Sequence, residues 1–160
     1  MSRSAGDALP ETVQRRLSGD DPAGAVDVTV LLLTVDPEGW PRVAMLSAGE
    51  VLATGSRTLR LALWPESTTT ANLTRTGRAT LALVEGGAGW YFLCSARRRA
   101  DLSLPGRCLA SFELRVEEAL EDVVPYAQLT GGISFRLAEP ERTLAAWAET
   151  LTALRGGSNG

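Results

Sequence analysis

Apolar positions recur at every second residue over most of the chain, and only its ends and one short middle segment show a helical period. Residues 26–35 first alternate, with Val26, Val28 and Val30 facing one way, and then run apolar on both faces through Leu31, Leu32, Leu33 and Val35. A strand of that kind is covered on two sides. Asp36-Pro37-Glu38-Gly39 follows as a tight turn, because proline suits its second position and glycine takes a positive φ without steric cost. Residues 41–47 form the returning strand of this hairpin. Ala48-Gly49-Glu50 reads as a bulge or bend before a short strand at 51–53. Leu59, Leu61 and Leu63 mark one face of a strand over 58–64, and Leu81 and Leu83 one face of a strand over 79–85. The glycine-rich loop 86–89 joins that strand to another at 90–97. The cleanest alternation lies at 107–117: Cys108, Ala110, Phe112, Leu114 and Val116 point one way and Leu109, Ser111, Glu113, Arg115 and Glu117 the other. Residues 118–130 are acidic and read as irregular. Residues 132–138 read as a last strand, with Ile133, Phe135 and Leu137 inward.

The helical signals are fewer. Leu9, Val13 and Leu17 lie on one face of a short helix within 8–18, with Pro10 near its start, and 19–22 is a turn. Leu144, Trp147, Leu151 and Leu154 make a stripe along a helix over 140–154 that must pack on the sheet; Pro140 suits its first turn and Gly156-Gly157 end the pattern. Residues 1–7 and 156–160 read as disordered tails of a single domain spanning 1–160. The sum is a mainly β protein: six to eight mostly antiparallel strands with flanking helices, for which a closed or nearly closed small barrel provides one shared core.

The middle segment breaks the pattern. After the strand ends at Trp64-Pro65, Ser67 opens a short helix carrying Thr68, Thr69 and Thr70, and Gly77 closes it. Three threonines are poor first-turn residues on propensity alone. Two readings fit. The turn presents hydroxyls and free N–H groups to an anion at the positive end of the helix dipole, or Ser67 caps a connector whose threonines are solvated.

Composition narrows the chemistry. The chain has 160 residues, enough to bury roughly 70% of its unfolded surface without disulfides or metals. All 16 basic residues are arginine, histidine is absent, and the net charge is −3. That balance offers no long-range attraction to nucleic acid or anionic lipid. Any phosphate must be held by Arg, hydroxyls or backbone. The absence of histidine excludes the usual Cys/His zinc sites and Ser-His-Asp or Cys-His catalysis. A catalyst built from this chain takes its difficult chemistry from a bound cofactor. No apolar run approaches a membrane span, and the N-terminus lacks a secretion core; the reading is a cytoplasmic protein.

The order of elements carries a resemblance. A hydrophobic strand reaching Thr34-Val35-Asp36 is followed by a glycine turn and Pro41-Arg42-Val43-Ala44-Met45-Leu46-Ser47. Then come a strand ending Leu61-Ala62-Leu63-Trp64, a Ser/Thr-opened helix with Ala71-Asn72-Leu73, the strand Gly77-Arg78-Ala79-Thr80-Leu81-Ala82-Leu83-Val84, and a glycine hairpin. Over about residues 26–117 the chain resembles the FMN-binding split β-barrel of the pyridoxamine 5′-phosphate oxidase-like superfamily. The resemblance implies a homodimer with flavin at the subunit interface and a flavin-based oxidation or reduction of a small molecule. It matches Arg42, Met45, Leu46 and Ser47 to the strand beside the flavin ring, and Leu63 and Trp64 to the end of the following strand. Ser67, Thr68, Thr69, Thr70 and Asn72 match the phosphate-proximal turn. Residues 65–74 contain no basic residue, unlike the family's oxidases, so another flavin, a deazaflavin, heme or an empty site stays open beside FMN. The alternative function is a non-catalytic dimeric scaffold or a sensor of heme or another small ligand.

Arg97-Arg98-Arg99 is either an anion-binding triplet or a solvated strand end. Trp40 and Trp90 flank hairpin turns, where they stack on a flat ring or serve as core and interface residues. Cys94 and Cys108 both read as inert core thiols. Glu117, Glu118, Glu121 and Asp122 read as solvated surface.

Overall fold

In the computed structural model, which describes residues 1–156, the chain begins with β1 (Ser2–Ser4), α1 (Glu11–Arg16) and a single 3-10 turn at Ala23–Ala25. Then come β2 (Thr29–Val35), β3 (Pro41–Ser47), β4 (Val51–Ala53) and β5 (Thr58–Leu63). After α2 (Thr68–Thr76) follow β6 (Arg78–Glu85), β7 (Ala88–Arg98), β8 (Leu102–Leu104), β9 (Arg107–Asp122) and α3 (Pro140–Gly156). The strands form one curled antiparallel half-barrel in the order β3-β2-β6-β7-β9-β5-β4, and β1 and β8 add to β9. The doubly apolar β2 sits between β3 and β6, but only one of its faces is covered: Val30, Leu32 and Thr34 are buried, whereas Leu31 and Leu33 are half-buried and Val35 is exposed.

One core fills the concave side. Val30, Leu32, Leu59, Leu61, Leu81, Phe92, Phe112, Leu114 and Val116 meet there, joined by Leu9, Val13 and Leu17 from the N-terminal helix region. A second, smaller core lies on the convex side, where Leu151 and Leu154 of α3 cover Leu52, Ala62 and Leu109. Burying each leucine contributes about 1.5–3 kcal/mol. Gly49 is required by a close approach: a Cβ there would stand 2.1 Å from Cγ of Trp147.

Several expectations change. Strand β9 does not stop at Glu117. Its register with β7 shifts between Leu93 and Cys94, from Leu93↔Glu118 to Cys94↔Val116. Glu117 is thus the extra residue of a β-bulge, which resets the alternation so that Ala119 faces the core. The broken period made residues 118–122 look irregular. Residues 132–138 form no strand; they cross the convex surface as irregular chain, with Ile133 and Phe135 exposed and Phe135 edge-on to Trp147 at 6.5 Å. Residues 2–4, expected to be loose, pair with Leu120, Glu121 and Asp122 of β9. Cys108 is exposed, because it lies at the hairpin end of β9 opposite Ser103, beyond the barrel core. Cys94 is buried, as expected, and burial pushes its thiol up to about 12, with Glu117 adding to the shift. Gly156 is the last residue of α3, and the rest of the expected tail lies outside the described residues.

Candidate functional site

The site predicted around the start of α2 and along β3 is built from three local devices. The first is the β2–β3 turn. Asp36 is buried, and its Oδ1 accepts from the amides of Glu38 at 3.1 Å and Trp40 at 2.8 Å. Gly39 takes φ 89° to close the turn. The other oxygen, Oδ2, stands 3.6 Å from Arg42, which aims that guanidinium along the end of β3.

The second device is β3 itself, an edge strand. Asp36 N donates to Trp40 O at 3.0 Å, which makes the flanking Val35↔Pro41 pair one without mutual hydrogen bonds. By alternation, the amides of Val43, Met45 and Ser47 point away from β2. Ser47 bears this out: its N–H donates to Glu50 Oε2 at 2.7 Å and its hydroxyl to the same oxygen at 2.8 Å. Among the described residues β3 pairs with β2 alone, so the backbone of Val43 and Met45 faces the split of the barrel. Their side chains face outward, 57% and 64% exposed, whereas Leu46 is buried in the core.

The third device is the cap of α2. Ser67 accepts from Thr70 N at 3.1 Å and donates its own hydroxyl proton to Thr70 Oγ1 at 3.1 Å. Thr70 in turn donates to Trp64 O at 2.8 Å. Both hydroxyls are therefore engaged in closing the β5–α2 turn, so the capping reading holds for Ser67. Thr68 is exposed and Thr69 half-exposed; their amides, in the first turn of the helix, have no partner within it. Gly77 ends α2 with φ 64°, donating to Leu73 O at 2.9 Å.

These devices meet through the end of β2. Asn72 is buried and donates to Thr34 Oγ1 at 3.0 Å, and Thr34 is the cross-strand partner of Arg42. Arg75 donates to Val35 O. Helix α2 thus lies across the ends of β2 and β3 with Arg42 on the near strand. Asn72 is occupied inside the fold, Leu63 belongs to the core, and Trp64 stands 61% exposed at the end of β5. Asp36 and Glu50 escaped the sequence reading. Each is a carboxylate that organises a tight corner; the signal available was the Asp-Pro-Glu-Gly turn for Asp36 and the Ala-Gly-Glu bend for Glu50.

The remaining candidates resolve plainly. Arg97 and Arg99 both pair with Glu113, at 3.1 and 2.9 Å, and Arg98 pairs with Asp101 at 2.7 Å. The triplet is an ion-paired strand end. Trp90 stacks parallel to Phe92 at 6.2 Å, and Trp40 stays exposed at its turn. Tyr91 donates to Asp122 Oδ2 at 2.9 Å, and the N-terminal ammonium lies 3.2 Å from Oδ1. The Tyr91 hydrogen bond and then that of the ammonium hold the Asp122 carboxyl below its ordinary range.

Comparison with known proteins places this geometry. No protein-family profile matches the chain. It is 37% identical over 125 residues to the uncharacterized protein YclD of Bacillus subtilis, covering 78% of this chain and 81% of that protein. Among solved structures, a candidate pyridoxamine 5′-phosphate oxidase from Lactobacillus delbrueckii superposes with a TM-score of 0.57 at 19% identity, over 74% of this chain and 98% of that one. HupZ of Group A Streptococcus superposes with a TM-score of 0.53 at 15% identity, over 80% and 100%. An F420 reductase gives 0.51 at 12% identity, over 69% and 98%. At these identities the structural likeness establishes the fold.

Proposed function

The chain belongs to the family of Bacillus subtilis YclD and folds as a pyridoxamine 5′-phosphate oxidase-like split β-barrel, and from that premise we propose that it is a homodimeric, cytoplasmic flavin-binding protein, with FMN the first flavin to test. The observation that carries the reading is the unpaired edge of β3 beside the open first turn of α2. An edge strand with bare amides and outward Val43 and Met45 is a liability unless something covers it. A flat ring system with polar edges meets both needs, and Trp64 adds an exposed aromatic at the end of β5.

The donor set fits a phosphate without lysine. Thr68 and Thr69 supply amides and hydroxyls at the positive end of α2, and Arg42 supplies a cation whose direction Asp36 sets. Ser67 and Thr70 act by holding this turn in shape. FMN, when bound, supplies hydride and electron transfer. The chain's own part is to bind and orient the ring along β3 and to shield it from water. It offers no histidine, and the Asp36 and Glu50 carboxylates at this corner are already engaged in hydrogen bonds.

The test is reconstitution. Protein stripped of small molecules and incubated with FMN should retain the flavin absorption band through gel filtration. At 100 times the dissociation constant, FMN should add about 2.7 kcal/mol of stability. A colourless product with an unshifted melting curve, for FMN and a deazaflavin alike, sinks the flavin reading. The non-catalytic scaffold would then stand, favoured by the engagement of Ser67 and Thr70 with each other.

A further inference from the structure

Strands β2 and β6 separate before either ends. Their pairing covers Leu31↔Ala82, Leu32↔Leu81 and Leu33↔Thr80 and stops there. Yet β2 stays paired to β3 as far as Val35↔Pro41, and β6 is already paired to β7 at Arg78↔Ser95. Thr34, Val35, Arg78 and Ala79 therefore flank a gap. The last turn of α2 lines its inner side. Thr76 Oγ1 accepts from Arg78 N at 3.2 Å and donates to Asn72 O at 2.9 Å, and Arg75 donates to Val35 O. Side chains of the helix thus satisfy groups that the missing ladder would have paired, so the gap is a built feature rather than fraying.

On the convex face the gap opens into a cleft of about 920 Å³. Leu33, Pro41 and Leu93 make its apolar walls. Arg78 stands exposed at its margin and forms no ion pair among the described residues. The carboxylate on the opposite side is Glu117, the bulge residue, and Ser95 Oγ donates to it at 2.6 Å. Cys94 lines the cleft as a buried neutral thiol, which rules out thiolate chemistry there. A largely apolar cavity with one uncommitted guanidinium selects a particular ligand chemistry. An apolar ring gains by leaving water, and an anionic group on that ring gains a charge-assisted pair with arginine.

We propose that the cleft between β2 and β6 binds a flat apolar anion, an aromatic carboxylate or sulfonate, with its ring on Leu33, Pro41 and Leu93 and its charge on Arg78. This site is separate from the β3 edge and stands without the flavin reading. Full-length protein, as isolated, is titrated with anilinonaphthalene sulfonate and with phenylnaphthylamine, which has the same rings and no sulfonate. Both should bind saturably at one site. Arg78→Gln should weaken the sulfonate about tenfold or more, in keeping with a charge-assisted pair, and leave the neutral amine within about twofold. Arg78→Lys should recover part of the loss, and Leu93→Asp should weaken both probes. Unchanged sulfonate affinity in Arg78→Gln, equal loss of both probes there, or no saturable binding, as when a second copy covers the cleft, overturns the proposal. Protein that takes up no FMN but shows the Arg78 effect keeps the cleft and removes only the flavin reading.

Discussion

The curled sheet has two convex regions, and they are finished differently. Over β4, β5 and β9, Leu52, Ala62 and Leu109 are sealed beneath Leu151 and Leu154 of α3. Over β3, β2, β6 and β7, the outward row Met45–Leu31–Ala82–Tyr91 and the row Val43–Leu33–Thr80–Leu93 run in register across four strands, with no helix above them among the described residues. The first region contributes to the stability of the single chain. The second leaves Val43, Met45 and Leu93 in water and contributes little. A sequence that keeps such a surface apolar implies that something else meets it: the proposed flavin and second copy at its β3 end, by Val43 and Met45, and the proposed aromatic anion between β2 and β6, by Leu33 and Leu93.

Truncation on the covered side should have the largest effect. Leu151→Ala should destabilise the protein by about 2–5 kcal/mol, read from its urea midpoint. Met45→Ala should stay within about 0.5 kcal/mol. If the two losses are equal, the contrast between the regions is false.

Next in size is association. Met45→Asp should leave the melting curve of the isolated chain nearly unchanged and convert the proposed dimer to monomer by light scattering. A variant that stays dimeric moves the interface elsewhere on the molecule.

The cap of α2 sharpens the contrast within one turn. Ser67→Ala should cost about 1 kcal/mol of stability, because Thr70 N loses its partner. Replacing Thr68 and Thr69 by alanine should leave stability unchanged or higher, since alanine is the better helix former, while weakening FMN. Unchanged FMN affinity in the double variant reduces the threonines to surface.

The smallest effect is at β1. The folded-state carboxyl of Asp122 titrates below its unfolded value. Its contribution is therefore present above an ordinary aspartate value of about 4 and is lost as the pH falls through the lower folded value. Hydrogen exchange at residues 2–4 should accelerate in that window while the barrel core stays protected. Acceleration that begins near neutrality would assign the protection to another group.

The fold was legible because period-2 alternation, turn residues and the C-terminal stripe are local signals. The hairpins at 36–39 and 86–89, the strands they join and the packing of Trp147, Leu151 and Leu154 all follow from spacing. The reading failed where a local rule is overridden. The bulge at Glu117 breaks the period of a strand that continues. Residues 132–138 alternate but have no neighbouring strand to pair with. Ser2–Ser4 are polar and unpatterned, and are ordered only because β9 offers them a free edge.

The candidate site divides in the same way. Chain order alone placed Arg42, Met45, Thr68 and Thr69 on a strand and a helix start, and the lack of histidine excluded whole classes of chemistry. Which groups remain free was decided by tertiary structure. A hydrogen bond needs a partner at a definite distance, and the partners of Asn72 and Arg97 lie elsewhere in the chain at Thr34 and Glu113. The unpaired edge of β3 and the gap between β2 and β6 are likewise properties of strand neighbours, set by how far each ladder runs.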